Sequence, residues 1–201
     1  MDSLKDSYAR YPYGRIARLD EQLRAAGVAE ETIARIMAGG EVVCKTAQPA
    51  VKATWLRGAM ERMDDLLDPA TRIAVRERCA CCLGGKRGEI SQAIGRKYAS
   101  LQERIAAANE ARFVFGHSVT LQPDGRVLVC FAPEGRAPYR CACLGDQVVE
   151  PISLTYCACC GGHVKHHLQQ ALERKLSCEA RSSALASGQA QPCSFLFTFI
   201  D

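Results

Sequence analysis

Residues 155–169, TYCACCGGHVKHHLQ, hold three cysteines and three histidines. Thiolate sulfur and imidazole nitrogen are strong transition-metal donors, and a thiolate is also a nucleophile and a redox centre. Cys157 and Cys160 stand in C-x-x-C spacing, common at tetrahedral zinc and iron–sulfur sites because a tight turn brings both sulfurs to one side. Cys159 is then an additional ligand or a redox partner. His163 follows three residues after Cys160 and would share a helix face with His167, so it can complete a Cys/His site or act as an acid–base group.

The same pattern occurs earlier in the chain. Residues 79–97, CACCLGGKRGEISQAIGRK, align without a gap on residues 157–175, CACCGGHVKHHLQQALERK, with nine of nineteen positions identical. Each unit is a cysteine cluster, a glycine turn and a helix, and Ile90 with Leu168 and Ile94 with Leu172 keep apolar positions four apart. A cysteine ahead of a helix gains from the free amides and the positive end of the dipole, which favour the thiolate. The histidines belong to the second unit only, since Gly85, Gly88 and Glu89 take the matching places in the first. A third element, Cys141-Ala142-Cys143, adds two thiols that fall on one side of an extended segment.

The metal set expected from these spacings is Cys79, Cys81, Cys82, Cys141, Cys143, Cys157, Cys159, Cys160 and His163. Zinc suits a thiolate-rich tetrahedral site, with an iron–sulfur cluster as the alternative. A second hypothesis is a small-molecule hydrolase in which Cys159 or Cys160 is the nucleophile and His163 the base. A third is a thiol–disulfide protein, although no thioredoxin-like βαβ frame is read here. The expected partners are a metal ion and a small-molecule ligand. Cys44, Cys130 and Cys178 are expected as buried small residues, and Cys193 opens a strand face.

Twelve cysteines in 201 residues, with no apolar leader in MDSLKDSYARYPYG, favour a cytoplasmic protein whose thiols stay reduced. No window approaches the ~18 apolar residues of a membrane span. The 26 basic and 22 acidic residues, net +4, are interspersed, so nucleic acid binding is not indicated. The segment after Gly84-Gly85 lacks P-loop spacing, and neither G-x-S-x-G nor H-E-x-x-H occurs.

The elements that must position these groups are expected to form an α+β fold. Residues 1–112 read as a helical bundle ending in the first cysteine–helix unit. Ile16, Leu19 and Leu23 recur at helical spacing, Ile33, Ile36 and Met37 precede a Gly39-Gly40 stop, and Val51, Trp55, Ala59, Met63 and Leu66 line a longer helix. Asp68 caps a helix opened by Pro69, and Ser100 with Glu103 forms a capping box. Residues 113–201 read as ββαββ: a hairpin FVFGHSVTL/RVLVCFA around Pro123-Asp124-Gly125, a helix over residues 163–175, and strands SCEARSSAL and CSFLFTFI. The last alternates Cys193, Phe195, Phe197 and Phe199 on one face. One antiparallel sheet with the helix packed on it is the expected arrangement, with the thiols between sheet and bundle.

The run Tyr156-Cys157-x-Cys159, Gly162, a helix, Glu179 on a strand, Gly188 and Cys193-x-Phe195-x-Phe197 resembles a group of small α+β domains. These are the 4-vinyl reductase-like small-molecule-binding domains and the L-2-amino-thiazoline-4-carboxylate hydrolase-like family. Uncharacterised relatives with an R-C-x-C stretch like Arg140-Cys141-Ala142-Cys143 belong with them. The resemblance covers roughly residues 113–200 and implies an antiparallel sheet with flanking helices and a cysteine-lined site for a metal or small ligand. Two positions depart from the group: His163 replaces a frequent tryptophan, and Cys160 adds a third thiol.

Overall fold

The computed structural model describes residues 3–144 and 150–200, residues 3–6 by their backbone alone. The stretch that follows Cys143-Leu144 in the third cysteine element lies outside the described residues. Helices α1 (Ser3–Arg10), α2 (Gly14–Ala25), α3 (Glu30–Met37), α4 (Pro49–Leu66), α5 (Pro69–Arg78), α6 (Gly85–Lys97) and α7 (Leu101–Glu110) come first. Then follow α8 (Arg112–Phe115), β1 (Ser118–Leu121), β2 (Val127–Cys130), a 3-10 turn (Leu154–Cys157), α9 (Ala158–Leu172), β3 (Leu176–Ser182) and β4 (Ser194–Phe199). The fold is α+β, and no helix among the described residues is long and apolar enough to cross a membrane.

The caps read from sequence are formed. Asp68 accepts from the Thr71 amide at 3.0 Å and from the Thr71 hydroxyl at 2.6 Å, and Pro69 opens α5. Ser100 and Glu103 bond reciprocally at the start of α7. Ile16, Leu19, Leu23, Ile33, Ile36 and Met37 are all buried, as their spacing requires. The inner stripe of α4 differs from expectation: Ala53, Leu56, Ala59, Met60 and Met63 are buried, while Val51 is 50% exposed. Trp55 instead reaches along the end of α3 and donates its indole N–H to the Ala38 carbonyl at 3.0 Å. This turns α4 by about one residue from the sequence-based stripe.

The four strands form one antiparallel sheet in the order β1-β2-β4-β3, so the two hairpins meet through β2 and β4. Val129 pairs with Val119 on one side and Phe195 on the other. Phe195 and Phe197 are fully buried; Phe199, expected on the same inward face, is only half-buried near the strand end. The first hairpin begins later than expected. Residues 112–115 stay helical because the Phe115 amide bonds the Ala111 carbonyl at 3.2 Å, and Gly116 at φ 112 releases the chain into β1.

Helix α9 lies between the sheet and the helices α5 and α6. It starts at Ala158, five residues before the expected position, so Cys159 and Cys160 belong to its first turn. Gly162 lets α5 approach: a Cβ there would stand 2.3 Å from the Glu77 carbonyl oxygen. Gly95 of α6 does the same against α9, where a Cβ would meet the Gln170 carbonyl at 2.6 Å. A single hydrophobic core runs from Ile16 and Leu56 in the helices to Leu168, Phe195 and Phe197 at the sheet.

Candidate thiol centre

Helices α6 and α9 run side by side in the same direction. Near their starts Leu83 faces His166 and Ser91 Oγ lies 3.0 Å from His167 Nδ1, while towards their ends Gly95 faces Gln170. Both helices therefore present their positive ends towards the cysteines. The clusters themselves differ in backbone. Cys157 closes a 3-10 turn and Cys159 and Cys160 are helical, whereas Cys79 caps α5 and the loop to Cys82 is irregular, with Cys82 at φ 61.

The three histidines of α9 hold that loop. His163 Nδ1 donates to the Cys81 carbonyl at 2.8 Å, His167 Nε2 to the Cys82 carbonyl at 3.1 Å, and His166 Nε2 to the Leu83 carbonyl at 3.1 Å. Three consecutive carbonyls of the first unit are thus taken by imidazoles of the second, which accounts for histidines in one unit only. Burial pushes the pKa of His167 down to about 4 and lowers that of His163 as well, so both rings are neutral. With its proton on Nδ1, His163 keeps a lone pair on Nε2.

The thiols fall into an inner and an outer set. Cys143 Sγ is 3.8 Å from Cys160 Sγ, and Cys159 is the neighbour that both act on electrostatically. Cys81 and Cys82 make a second sulfur pair at 3.8 Å, and the charge of Cys159 bears on both Cys81 and Cys79. Cys141 Sγ accepts the Cys143 amide at 3.3 Å. Cys79 Sγ rests 3.9 Å from the Arg18 carbonyl.

Cys157 turns elsewhere. Its sulfur lies 2.8 Å from Ser183 Oγ, and burial pushes its pKa up to about 12. The contacts of Cys157 and Cys160 therefore lie in different places, and this C-x-x-C pair does not close as a chelate. Residues three apart on a helical turn share a face, so it is the buried contact with Ser183, against that of Cys160 with Cys143, that separates the two sulfurs. Among the described residues, no group of three or more Cys, His, Asp or Glu side chains is arranged as a metal-holding set. Of the remaining cysteines, Cys193 is buried and accepts the Ala184 amide at 3.4 Å. Cys44, beside Thr46 in the α3–α4 loop, Cys130 and Cys178 are only half-buried, contrary to the buried places expected for them.

Two arginines set the charge of the centre, and neither was found from spacing. Arg76 on α5 is 4% exposed, donates through Nη2 to the Tyr156 carbonyl at 3.1 Å, and lies 5.0 Å from the Tyr156 ring centroid. Its Nε has no hydrogen-bond partner, and it makes no ion pair with a carboxylate among the described residues. Arg15 on α2 donates through Nη1 to the Cys143 carbonyl at 3.1 Å and to Tyr156 Oη at 3.5 Å. Burial opposes the charge of Arg76, but the facing thiols, Cys159 and Cys79 first, hold its pKa above the usual value. A buried guanidinium costs several kcal/mol unless an anion answers it.

The anion available is a thiolate. Bonds from Cys143 and Cys160, with Arg76 and Arg15 behind them, hold the Cys159 pKa well below the ordinary thiol value despite burial. Cys143 is pushed up by its contacts with Cys141, Cys159 and Cys160, and it stays a donor. The Cys143 bond lowers Cys141 to about 6. Two cavities, of about 430 and about 450 Å³, share Arg15, Cys81, Cys143 and Cys159 as a common wall, so the inner thiols are reached from both.

No protein family, curated protein or solved structure matches this chain.

Proposed function

We propose that the chain is a cytoplasmic metal-binding protein whose inner thiols, Cys143, Cys159 and Cys160, hold a zinc ion. The observation that carries the proposal is Arg76, a buried guanidinium with an unpartnered Nε facing thiols and no carboxylate. A divalent ion with three or four thiolates has a net charge of −1 or −2, which Arg76 and Arg15 would balance. One edge of the donor set supports it: a tetrahedron with bonds of about 2.3 Å has edges of about 3.8 Å, the distance between Cys143 and Cys160. This edge disfavours a cluster in which each thiolate binds its own iron, and zinc is chosen over a two-iron cluster for its preference for thiolate-rich tetrahedral sites.

Cys81 and the Nε2 of His163 compete for the fourth position, since His163 has the backbone-anchored tautomer usual for a ligating histidine. Zinc at such a centre supplies thiolate-stabilised cross-linking when its shell is full and Lewis acidity when a position is open. The resemblance to 4-vinyl reductase-like and thiazoline hydrolase-like domains is part of the proposal, supported by the ββαββ order, and would give the centre a role in small-molecule sensing or chemistry.

Serine replacement of each cysteine in turn tests the ligand set. Cys143→Ser, Cys159→Ser and Cys160→Ser are expected to lose bound zinc, while Cys157→Ser and Cys193→Ser keep it; retention by all three inner variants would sink the assignment. The Cys143–Cys160 contact also supports a thiol–disulfide reading. That reading requires a reversible two-electron couple in metal-free protein, abolished by Cys160→Ser.

A further inference from the structure

The cavity of about 430 Å³ on one side of the thiols falls within the ~300–1,000 Å³ of small-molecule sites. Its wall has an uneven chemistry. Four arginines line it, Arg15, Arg87, Arg112 and Arg140, and no Asp or Glu does so among the described residues. Arg87 is held over the Phe113 ring, 4.1 Å from its centroid, by a 3.2 Å bond from Nε to the Phe113 carbonyl. The Arg112 side chain makes no ion pair or hydrogen bond among the described residues. The rest of the wall is largely apolar, including Phe113, Phe115 and Phe131; Phe113 is 57% exposed and Phe131 stacks at a tilt on Phe195.

Arg15 faces the thiols of the same wall, so the charge left to select an anion is that of Arg87 and Arg112, and an apolar aromatic wall selects a flat hydrocarbon body. Inorganic phosphate would satisfy only the arginines, and a neutral aromatic only the rings. We propose that this cavity binds a small aromatic carboxylic acid, its carboxylate held by Arg87 and Arg112 and its ring laid against Phe113 and Phe131. The inference rests on the cavity wall and not on the metal.

Calorimetric titration of the full chain with phenylacetate, phenylacetamide and inorganic phosphate tests it, with the zinc content of each sample measured alongside. Phenylacetate is expected to bind at least about tenfold more tightly than the amide, which shares its shape and lacks the charge. Arg112→Gln, a change at an exposed side chain, and Arg87→Gln should each weaken phenylacetate about three- to tenfold without altering the amide. Arg181→Gln, on the far edge strand, should change nothing. Equal binding of acid and amide, tighter binding of phosphate than of phenylacetate, unaltered affinity in both arginine variants, or no phenylacetate binding would each overturn the proposal. Zinc-loaded protein that ignores phenylacetate refutes the cavity alone; metal-free protein that binds it refutes the metal alone.

Discussion

At the residue scale the decisive side chain is Arg76, a cation that faces sulfur and a tyrosine, and no carboxylate, among the described residues. Such a residue acts on a metal through the thiolates, by lowering the cost of gathering them. Arg76→Met keeps most of the volume and removes the charge, and it should weaken zinc about 10- to 100-fold in chelator competition, with Arg76→Lys between the two. An unchanged affinity would mean that the guanidinium answers Tyr156 alone. Sequence patterns show such a group poorly. Arg76 sits in PATRIAVRER, where it opens the charged run Arg76-Glu77-Arg78 and reads as helix surface. The cysteines were legible because their chemistry is in their type and spacing. The direction of the Cys157 side chain was not, since it depends on Ser183, 26 residues away.

At the element scale the two cysteine units are joined by the way α6 and α9 pack, and small residues make that packing possible. Gly162→Ala drives a Cβ into the Glu77 carbonyl and should cost at least about 1–3 kcal/mol in denaturant unfolding, with the loop over Cys81 and Cys82 loosened as α9 shifts. Gly95→Ala, against the Gln170 carbonyl, should cost a similar amount. A loss below about 0.5 kcal/mol in both would show that the helices adjust freely. The Asp68 cap gives a pH signature. Bonds from Thr71 lower its pKa in the folded chain, so its stabilisation is complete above the unfolded carboxylate value of about 3.9 and disappears as pH falls through the folded value. Asp68→Asn retains a cap that does not titrate. Its stability should fall less than that of the parent between pH 5 and pH 2, read by thermal unfolding at each pH. Parallel pH profiles would show that Asp68 does not contribute. Caps and breakers are legible because they are local, and strand alternation is legible as far as Phe197. Helix α8 and the early start of α9 were misread, because both depend on how preceding turns hand over their backbone carbonyls.

At the scale of the whole molecule, α9 is the organising element: it packs on α5, α6 and the sheet, carries Cys159 and Cys160, and supplies the imidazoles that hold the first cluster. The α+β class and the single antiparallel sheet followed from the change of hydrophobic period near residue 113. The meeting of three distant cysteine segments at one place was expected from their chemistry rather than from any pattern of contacts. Their division into inner and outer thiols emerged only from the packing. Replacing Cys82 or Cys157 should therefore leave the centre loaded, and replacing Cys159 should empty it.

The central claim is tested most directly by metal analysis and a visible absorption spectrum of protein purified without oxygen and without a metal-affinity tag. The account predicts about one zinc per chain and no visible absorption. Folded protein free of metal, or brown protein containing iron and sulfide, would contradict it.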